Sequence, residues 1–258
     1  MINIIVCGAD GRMGRSIINI AKADPEIKIT GAVEIDSSPA VGTGNPVITK
    51  ISDLEKIVNP GDILVDFTVA SNTINVLKTA VKKNAKMVIG TTGLSDVQKE
   101  EIAKASKTIP VVFSPNMSVG INILIDLVEE LAKKIPNYEV EVVEFHHNKK
   151  KDAPSGTAVR LAEAVAKGLG RNLKEQAVYG RRGLGPERTK EEIGIHAVRC
   201  GDIVGDHTVY FAGLGERIEI THRAHSRENL ASGAVKACRW LENQKPGLYD
   251  MRDVLGLK

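Results

Sequence analysis

The sequence predicts an α/β protein in two parts, a parallel-sheet domain followed by a smaller domain with a different sheet. Up to about residue 115, short apolar runs alternate with helical periodicity, which is typical of a parallel sheet covered by helices. Residues 193–222 instead carry the closely spaced alternating patterns of antiparallel strands. A chain of 258 residues is long enough for two modest domains, each with a core of its own.

The strands of the first part are predicted from runs that are short and almost wholly apolar, as in strands buried on both faces. They are Ile2–Cys7, Ile27–Glu34, Asp62–Phe67, Lys86–Gly90 and Pro110–Phe113. A helix is predicted at Arg12–Ala23, where Met13, Ile17, Ile18 and Ala21 share one face. Further helices are predicted at 70–83 and 95–106. Strands that alternate with helices predict a parallel sheet with helices on both faces.

The second part is predicted to begin with a helix, Gly120–Ile135, followed by a strand with one polar face and a second helix at 156–168. The polar stretch 170–192 is predicted to be a long loop, and such loops often serve function or a subunit contact. The remaining segments are a predicted strand after the first helix, three strands predicted to be antiparallel, and a C-terminal helix: Tyr138–Phe145, Ile193–Arg199, His207–Ala212, Glu216–His222 and Ser226–Leu241.

Composition argues against two classes of partner. The net charge is only +3 and the lysines lack interleaved aromatic residues, so we expect no nucleic-acid partner. No apolar run reaches the roughly 20 residues of a membrane span, so we expect no membrane partner. Cys7, Cys200 and Cys238 are widely spaced without a CxxC motif and are expected to be reduced thiols. The sequence therefore predicts a cytoplasmic protein.

A glycine-rich turn follows the first strand. Gly8, Gly11 and Gly14 let the chain turn tightly and bring backbone N–H groups close to a phosphate at a helix N-terminus. The spacing differs from the usual G-x-G-x-x-G, and the glycines alone also fit a tight turn without ligand. Glu34, however, ends the second strand 20 residues after Gly14, where a ribose-binding carboxylate belongs. The combination predicts a dinucleotide site.

Two further loops follow strands of the predicted parallel sheet. They are Gly90–Gly93 and Ser114–Gly120. Ligands bind at the carboxyl ends of strands in open α/β sheets, although each segment also fits ordinary loop sequence.

The stretch Glu144–Ala158, EFHHNKKKDAPSGTA, concentrates titratable and cationic residues. Adjacent residues of a strand point to opposite faces, so His146 and His147 are poorly placed to share a metal ion. The sequence also lacks the usual zinc-ligand spacings, so no metal is expected. The three lysines, Lys149–Lys151, also fit a solvated run.

A predicted helix starts at Ser155–Thr157, directly after Pro154. Its N–H groups and positive dipole end suit a carboxylate, and Gly156 permits close approach. Ser155 alone also fits a simple N-cap. A histidine pair and a lysine lie close by in sequence and can act as acid or base. We therefore predict a site that binds a small carboxylate and holds a general acid beside it.

The same stretch resembles the signature of the 4-hydroxy-tetrahydrodipicolinate reductase (dihydrodipicolinate reductase) family of the diaminopimelate route to lysine. Other stretches resemble this family in the same order: GADGRMG, DFT, GTTG, NMSVGIN, GDIVGDHTV, GERIEITHRAHSR and GLYDMRDVL. Together they cover essentially the whole chain.

The resemblance implies a fold, a reaction and an assembly. It implies a Rossmann-type dinucleotide-binding domain at 1–117 and 228–258. It also implies a smaller α/β domain at 118–227, with a mixed, largely antiparallel sheet that binds substrate and builds a homotetramer. The implied reaction is the reduction of 4-hydroxy-tetrahydrodipicolinate, a small dicarboxylate, to tetrahydrodipicolinate with NADH or NADPH.

The resemblance also implies site residues. His146 matches the acid/base residue and Lys150 the proton donor. The substrate-binding positions are His147, Ser155, Gly156 and Thr157. The positions that hold the cofactor pyrophosphate, the adenosine ribose and the nicotinamide half are Gly8, Ala9, Asp10, Gly11, Arg12, Met13, Glu34, Gly90, Thr91, Thr92, Ser114, Pro115, Asn116 and Met117.

The chain departs from the family at two positions. Val69 stands where many members carry an arginine near the substrate, and Ile35 stands where an arginine often follows the ribose carboxylate. Because arginine can grip a 2′-phosphate and isoleucine cannot, we expect NADH to be preferred or equal to NADPH. Two other functions fit the sequence: a different dehydrogenase acting on an amino or imino acid, and a non-catalytic nucleotide sensor. A sensor would need the glycines but not His146 and Lys150.

Overall fold

The computed structural model describes all 258 residues and divides into two compact units. The first unit comprises Met1–Val119 and Arg227–Lys258, and the second comprises Gly120–Ser226. The roles predicted for the two segments, cofactor binding on one side and substrate binding with oligomerisation on the other, stay predictions.

Twelve strands and nine α-helices follow one another along the chain, with one short 3-10 helix at Ile51–Asp53. The strands are β1 (Ile2–Cys7), β2 (Ile27–Glu34), β3 (Ile48–Lys50), β4 (Ile63–Asp66), β5 (Lys86–Ile89), β6 (Pro110–Phe113), β7 (Glu139–His146), β8 (Ala177–Val178), β9 (Ile193–Arg199), β10 (Gly205–Gly213), β11 (Glu216–Ala224) and β12 (Gly247–Tyr249). The helices are α1 (Arg12–Lys22), α2 (Leu54–Ile57), α3 (Ala70–Lys83), α4 (Asp96–Ala105), α5 (Val119–Lys134), α6 (Gly156–Gly168), α7 (Leu173–Gln176), α8 (Glu228–Leu241) and α9 (Met251–Val254).

The first unit is built on a seven-stranded sheet in the order β12-β6-β5-β4-β1-β2-β3, and every neighbouring pair is parallel. The strand order reverses direction between β1 and β4. In doubly wound sheets the carboxyl ends of the strands on either side of such a switch point border the ligand crevice. The turn after β1 therefore lies at the edge of the sheet where a nucleotide would bind.

Both faces of this sheet are buried, which is why its strands have continuous apolar sequences. On β1, Ile4 and Val6 join a core formed with α1 and α8, whereas Ile5 and Cys7 join a core formed with α3 and α4. Adjacent residues face opposite sides of a strand, so a wholly apolar run supplies both cores at once.

The second unit contains a five-stranded mixed sheet in the order β11-β10-β7-β9-β8. Strand β10 is antiparallel to β7 and β11, whereas β9 is parallel to both β7 and β8. Helices α5 and α6 cover one face, where Val140 and Val142 of β7 are buried. Alternate residues of β7, among them Glu141 and Val143, lie on the opposite face.

Several predicted elements need correction. Ile193–Arg199 was expected to be antiparallel, but it is parallel to β7, because the sequence period of a strand does not encode the direction of its neighbour. The stretch 170–192 is not wholly a loop, since it contains α7 and β8. Strands β3 and β12 have only three residues each, too few to show a period, and were not predicted.

The predicted class is confirmed: an α/β fold with a parallel Rossmann-like sheet and a second, mixed sheet. No helix combines the length and the apolar character needed to cross a bilayer.

Candidate active site

The glycines of the turn after β1 are required by its own packing. Gly8 has φ +81°, in the left-handed region, and a Cβ on it would lie 2.8 Å from the Phe67 carbonyl oxygen. A Cβ on Gly14 would lie 2.1 Å from the Gly8 carbonyl oxygen, so the first turn of α1 touches the loop directly. Packing thus accounts for these two glycines, and a ligand-binding role has to be argued from the groups around them.

The N-terminus of α1 suits an anion. Gly11 is the N-cap and supplies no side-chain hydrogen bond to the first turn, which begins at Arg12. Arg227 lies near Arg12, and its pKa is lowered first by burial and then by the charge of Arg12. Arg227 nevertheless stays a cation at neutral pH. Two guanidinium groups therefore lie near a helix start that no side chain caps, an arrangement favourable for phosphate.

Glu34 lies at the end of β2, beside the same turn. Its carboxylate accepts hydrogen bonds from the backbone N–H groups of Asp10, at 3.0 Å, and Ile35, at 2.9 Å. Lys50, on β3, is the register partner of Glu34. The carboxylate is thus positioned next to the glycine turn, as a ribose-binding group in a dinucleotide fold must be.

Asp66, at the end of β4, organises the neighbouring loops. Its fully buried carboxylate accepts hydrogen bonds from the hydroxyls of Thr68 at 2.6 Å, Thr73 at 2.5 Å and Thr91 at 2.8 Å. Burial raises the pKa of this carboxyl. Because the Thr91 hydroxyl donates its only proton to Asp66, its oxygen can serve a ligand only as a hydrogen-bond acceptor.

The turn after β6 is also held from within. Ser114 and Met117 are buried, and the Ser114 hydroxyl donates to the Asn116 carbonyl oxygen at 2.8 Å. The Asn116 side chain accepts from the Ser118 N–H at 2.8 Å. Pro115 and, in the loop after β5, Thr92 are exposed. Two of the residues predicted to contact a cofactor here, Ser114 and Met117, therefore have side chains that pack inside the protein.

In the second unit, the centre of the Glu144–Ala158 segment is Glu144 itself, whose side chain is fully buried. One carboxylate oxygen, Oε2, accepts from His146 Nδ1 and from Arg199 Nη1 at 2.9 Å. The other, Oε1, accepts from Arg199 Nη2 and from the Ser155 N–H, each at 2.9 Å. Burial alone would raise the pKa of this carboxyl, but the bonds from His146 and Arg199 outweigh burial and lower the pKa to about 2.

His146 and His207 form a second contact in this cluster. Their rings meet edge to face with centroids 5.1 Å apart. Burial lowers the pKa of His207 to about 3, so its ring is neutral near neutral pH. His207 Nε2 lies 3.2 Å from the Ser155 hydroxyl oxygen.

Lys150 lies on the loop between β7 and α6. Its ammonium group pairs with the Asp152 carboxylate at 3.0 Å, and its backbone N–H donates to the His147 carbonyl oxygen at 3.1 Å. Arg199 donates to the Asp152 carbonyl oxygen at 2.6 Å and so ties this loop to Glu144. Among the predicted residues, His146 and Ser155 are joined directly through Glu144, and Lys150 is connected to them through Asp152 and Arg199.

Helix α6 begins with the predicted Ser-Gly-Thr sequence. The Ser155 hydroxyl oxygen accepts from the Ala158 N–H at 3.2 Å, so Ser155 is the N-cap of α6. The sequence allowed this role for Ser155 beside a role in carboxylate binding. Gly156 is exposed, and a Cβ built on it would meet no atom within 4 Å. Thr157 follows it as a half-buried residue of the first turn.

Sequence reasoning named no role for Glu144, Arg199 or His207. A signal existed for Glu144, because residues two apart on a strand face the same side and Glu144 therefore shares a face with His146. Arg199 reaches the cluster because it is the register partner of His146 on β9. His207 is the register partner of Glu144 on β10. Neither pairing can be deduced from the residues alone.

No group of three or more His, Cys, Asp or Glu side chains is arranged to hold a metal ion. The three cysteines are free thiols, with Cys7 and Cys238 buried and Cys200 exposed.

Comparison with known proteins covers the whole chain. The family described as "Dihydrodipicolinate reductase, N-terminus" matches residues 2–117, and "Dihydrodipicolinate reductase, C-terminus" matches residues 120–255. A protein of Hahella chejuensis named 4-hydroxy-tetrahydrodipicolinate reductase is 48% identical over 267 aligned residues, covering 100% of both chains. One of the same name from Syntrophotalea carbinolica is also 48% identical, with the same coverage.

Solved structures share the fold. The dipicolinate-bound dihydrodipicolinate reductase of Paenisporosarcina sp. TG-14 has a TM-score of 0.78 and 21% identity, covering 97% of each chain. A probable dehydrogenase from Thermotoga maritima has a TM-score of 0.61 and 11% identity, covering 99% of this chain and 93% of that one. At these identities the likeness concerns the fold, whereas the family is established by the sequence matches. The chain belongs to the dihydrodipicolinate reductase family.

Proposed function

We propose that this chain reduces 4-hydroxy-tetrahydrodipicolinate to tetrahydrodipicolinate with a nicotinamide dinucleotide, in the diaminopimelate route to lysine. Relatives that match its full length at 48% identity carry the name of this reaction, so the chain is an oxidoreductase of that type. The observation within the chain that supports this proposal best is the hydrogen-bonded set of Glu144, His146 and Ser155. It joins an acid/base residue to the start of a helix whose positive end favours a carboxylate.

The residues of the first unit fit a dinucleotide. The first turn of α1 has no side-chain cap and follows β1 at the switch point of the sheet, which suits a pyrophosphate. Glu34, at the end of the neighbouring strand β2, accepts a hydrogen bond from the Asp10 N–H beside this turn, which suits a ribose. We assign Gly8–Met13 to the pyrophosphate and Glu34 to the adenosine ribose. Gly90–Thr92 and Ser114–Met117 are assigned to the nicotinamide half. When bound, the reduced cofactor supplies the hydride.

The residues of the second unit handle the dicarboxylate substrate and the proton. The product lacks the 4-hydroxyl group of the substrate, so the overall change adds a hydride and a proton and releases water. We assign His146 as the acid/base group and Lys150 as the proton donor, since both can protonate a substrate on which negative charge develops. Lys150 is paired with Asp152 and has to exchange this partner for the substrate. His147 and the helix start Ser155–Thr157 are assigned to a substrate carboxylate.

The cofactor preference is proposed to be NADH, or equal use of both cofactors. The 2′-phosphate of NADPH would approach the Glu34 carboxylate, and like charges repel. A nearby cavity of about 500 Å³ is lined by Ile35 together with two further carboxylates, those of Asp36 and Glu55. Lys50 is the cation beside Glu34 in the sheet register and partly offsets this repulsion.

The assembly is proposed to be a homotetramer located in the cytoplasm. The face of the second-unit sheet opposite α5 and α6 includes Val143, Phe145, Val198 and Tyr210. Phe145 is 37% exposed, and apolar groups on an open sheet face commonly mark a contact between subunits. Closed symmetry is the usual way in which identical chains cover such a face.

A turnover assay tests this function and separates it from the two other candidates. The purified chain is mixed with 4-hydroxy-tetrahydrodipicolinate, made enzymatically in the assay, and the loss of NADH absorbance is followed. Steady oxidation of NADH that depends on this substrate is the expected result. Oxidation seen only with other imino acids would favour a different dehydrogenase, and cofactor binding without any turnover would favour a sensor.

A further inference from the structure

Glu144 is a carboxylate without a role in the proposed reaction, although both of its oxygens have hydrogen-bond partners. Its two oxygens accept four hydrogen bonds: one from His146, two from Arg199 and one from the Ser155 backbone. A carboxylate offers about four acceptor positions, so this group is saturated. It is also fully buried, which fixes its orientation.

We propose that Glu144 is the positioning residue of His146: it holds the imidazole in the tautomer with the proton on Nδ1 and so makes Nε2 the nitrogen that exchanges a proton with the substrate. The proton exchange between Nε2 and the substrate rests on the proposed function, whereas the tautomer of His146 does not. No proton leaves or reaches Glu144 in this scheme.

The direction of the hydrogen bond follows from chemistry. An ionised carboxylate can only accept, so the contact between Glu144 Oε2 and His146 Nδ1 requires a proton on Nδ1. The neutral ring then has its lone pair on Nε2, and the protonated ring carries its second proton there. A ring flip would put a C–H group against the buried carboxylate, which would leave that oxygen with one acceptor position unfilled.

Glu144 keeps its charge because of its other partners. The guanidinium of Arg199 contacts both carboxylate oxygens, an arrangement that strongly favours the ionised form. Together with the Ser155 N–H it supports the low pKa of this carboxyl. His207, the other buried imidazole, does not compete, since its Nε2 contacts the Ser155 hydroxyl instead.

The chain offers a matched control on the same strand. Glu141 is also hydrogen-bonded by a histidine, His196 at 2.7 Å, and by two arginines, Arg181 and Arg188. Burial would raise the pKa of Glu141, but these partners lower it to about 2, as at Glu144. Glu141 lies on the opposite face of β7, away from His146. Glu→Gln at either position removes one charge from a comparable ionic cluster.

The experiment combines NMR with kinetics. The chain, which has six histidines, is labelled with ¹⁵N-histidine, and two-bond ¹H–¹⁵N spectra are recorded in a titration up to about pH 9.5, until the rings are neutral. His146→Asn identifies the His146 signals. We expect wild-type His146 to show the Nδ1-protonated pattern, which Glu141→Gln retains and Glu144→Gln loses. We also expect kcat to fall about 10²-fold in Glu144→Gln, with Glu144→Asp recovering part of it and NADH affinity unchanged.

Three results would overturn the proposal. One is an Nε2-protonated His146 in the wild-type protein, a measurement that does not depend on the folding of Glu144→Gln. The second is a folded Glu144→Gln protein in which His146 keeps the Nδ1 proton. The third is a kcat in Glu144→Gln no lower than in Glu141→Gln. If the wild-type protein does not reduce the substrate at all, the proposed function fails while the tautomer remains measurable by NMR.

Discussion

The hydroxyl oxygen of Ser155 lies 3.2 Å from Nε2 of His207, so strand β10 supports the residue that caps helix α6. The same oxygen accepts the Ala158 N–H. With its proton on Nε2, His207 would donate to the Ser155 hydroxyl oxygen. The Ser155 oxygen would then accept two hydrogen bonds and keep its own proton for another acceptor.

Stability should depend on pH through His207. Burial lowers the pKa of His207 to about 3 in the folded protein. Between that pH and the ordinary pKa of histidine, the unfolded chain therefore binds a proton at this residue and the folded protein does not. The contribution of the neutral, buried His207 to the unfolding free energy is fully present above about pH 6.5 and is lost as the pH falls. Between pH 7 and pH 5, His207 should therefore cost the wild-type protein about 2 kcal/mol of unfolding free energy. We expect the His207→Gln protein to lack this part of the decrease. Urea denaturation at fixed protein concentration measures this, and equal losses in the two proteins would refute it.

Lys150 and His146 should govern kcat. Lys150→Ala and His146→Ala remove the assigned proton donors, so each should lower kcat by roughly 10²–10⁴-fold, the usual range for general acid catalysis. NADH affinity, measured by fluorescence titration, should barely change. Lys149→Ala and Lys151→Ala remove exposed lysines on either side of Lys150 and should leave kcat within about twofold. A Lys150→Ala protein with near-normal kcat would show that the proton comes from elsewhere.

Gly156 should control access to the carboxylate site. A Cβ at this position meets open space, so Gly156→Val should fold while placing a side chain over the helix start. We expect calorimetry to show at least a tenfold loss of affinity for pyridine-2,6-dicarboxylate, used as a planar mimic of the substrate. Gly185→Val is the matched control, because a Cβ on Gly185 also meets open space and the residue lies outside the site. Unchanged affinity in a folded Gly156→Val protein would argue against this binding position.

Assembly should depend on the open face of the second-unit sheet. Light scattering at micromolar concentration should give about 111 kDa, four times the chain mass of 27.8 kDa. Val143→Lys places a charge in the centre of that face and should reduce the mass, whereas Val97→Lys, at an exposed site of α4, should not. A wild-type mass near 28 kDa would contradict the tetramer.

Cofactor preference should respond to Ile35 and Lys50. Ile35 is 45% exposed and follows Glu34, so Ile35→Arg should tighten NADPH binding about tenfold while changing NADH binding little. Lys50→Ala should weaken NADPH binding more than NADH binding, because it removes the cation paired with Glu34 in the register. Direct titration in one low-salt buffer measures both, with Val81→Arg as a control at an exposed site on α3. Wild-type protein that strongly favours NADPH would overturn the assignment.

The sequence determined much of the fold by local physics. The buried strands β1, β2 and β6 were predicted with the bounds they have, because a short apolar run between turn residues leaves few alternatives. Helix α3 was predicted equally well at Ala70–Lys83. The stretch Glu144–Ala158 indicated the reaction through its resemblance to the dihydrodipicolinate reductase family, to which the full-length sequence matches assign the chain.

Tertiary structure alone decided which groups support the acid site. Glu144 and His146 share a face through the two-residue period of a strand, but Arg199 and His207 reach them from β9 and β10. The parallel direction of β9 and the register of β9 and β10 against β7 follow from how helices and strands pack together. The alternation of apolar and polar residues within one segment encodes neither of them. The sequence therefore determined which chemistry the chain carries, and long-range strand pairing decided which partners hold it in place.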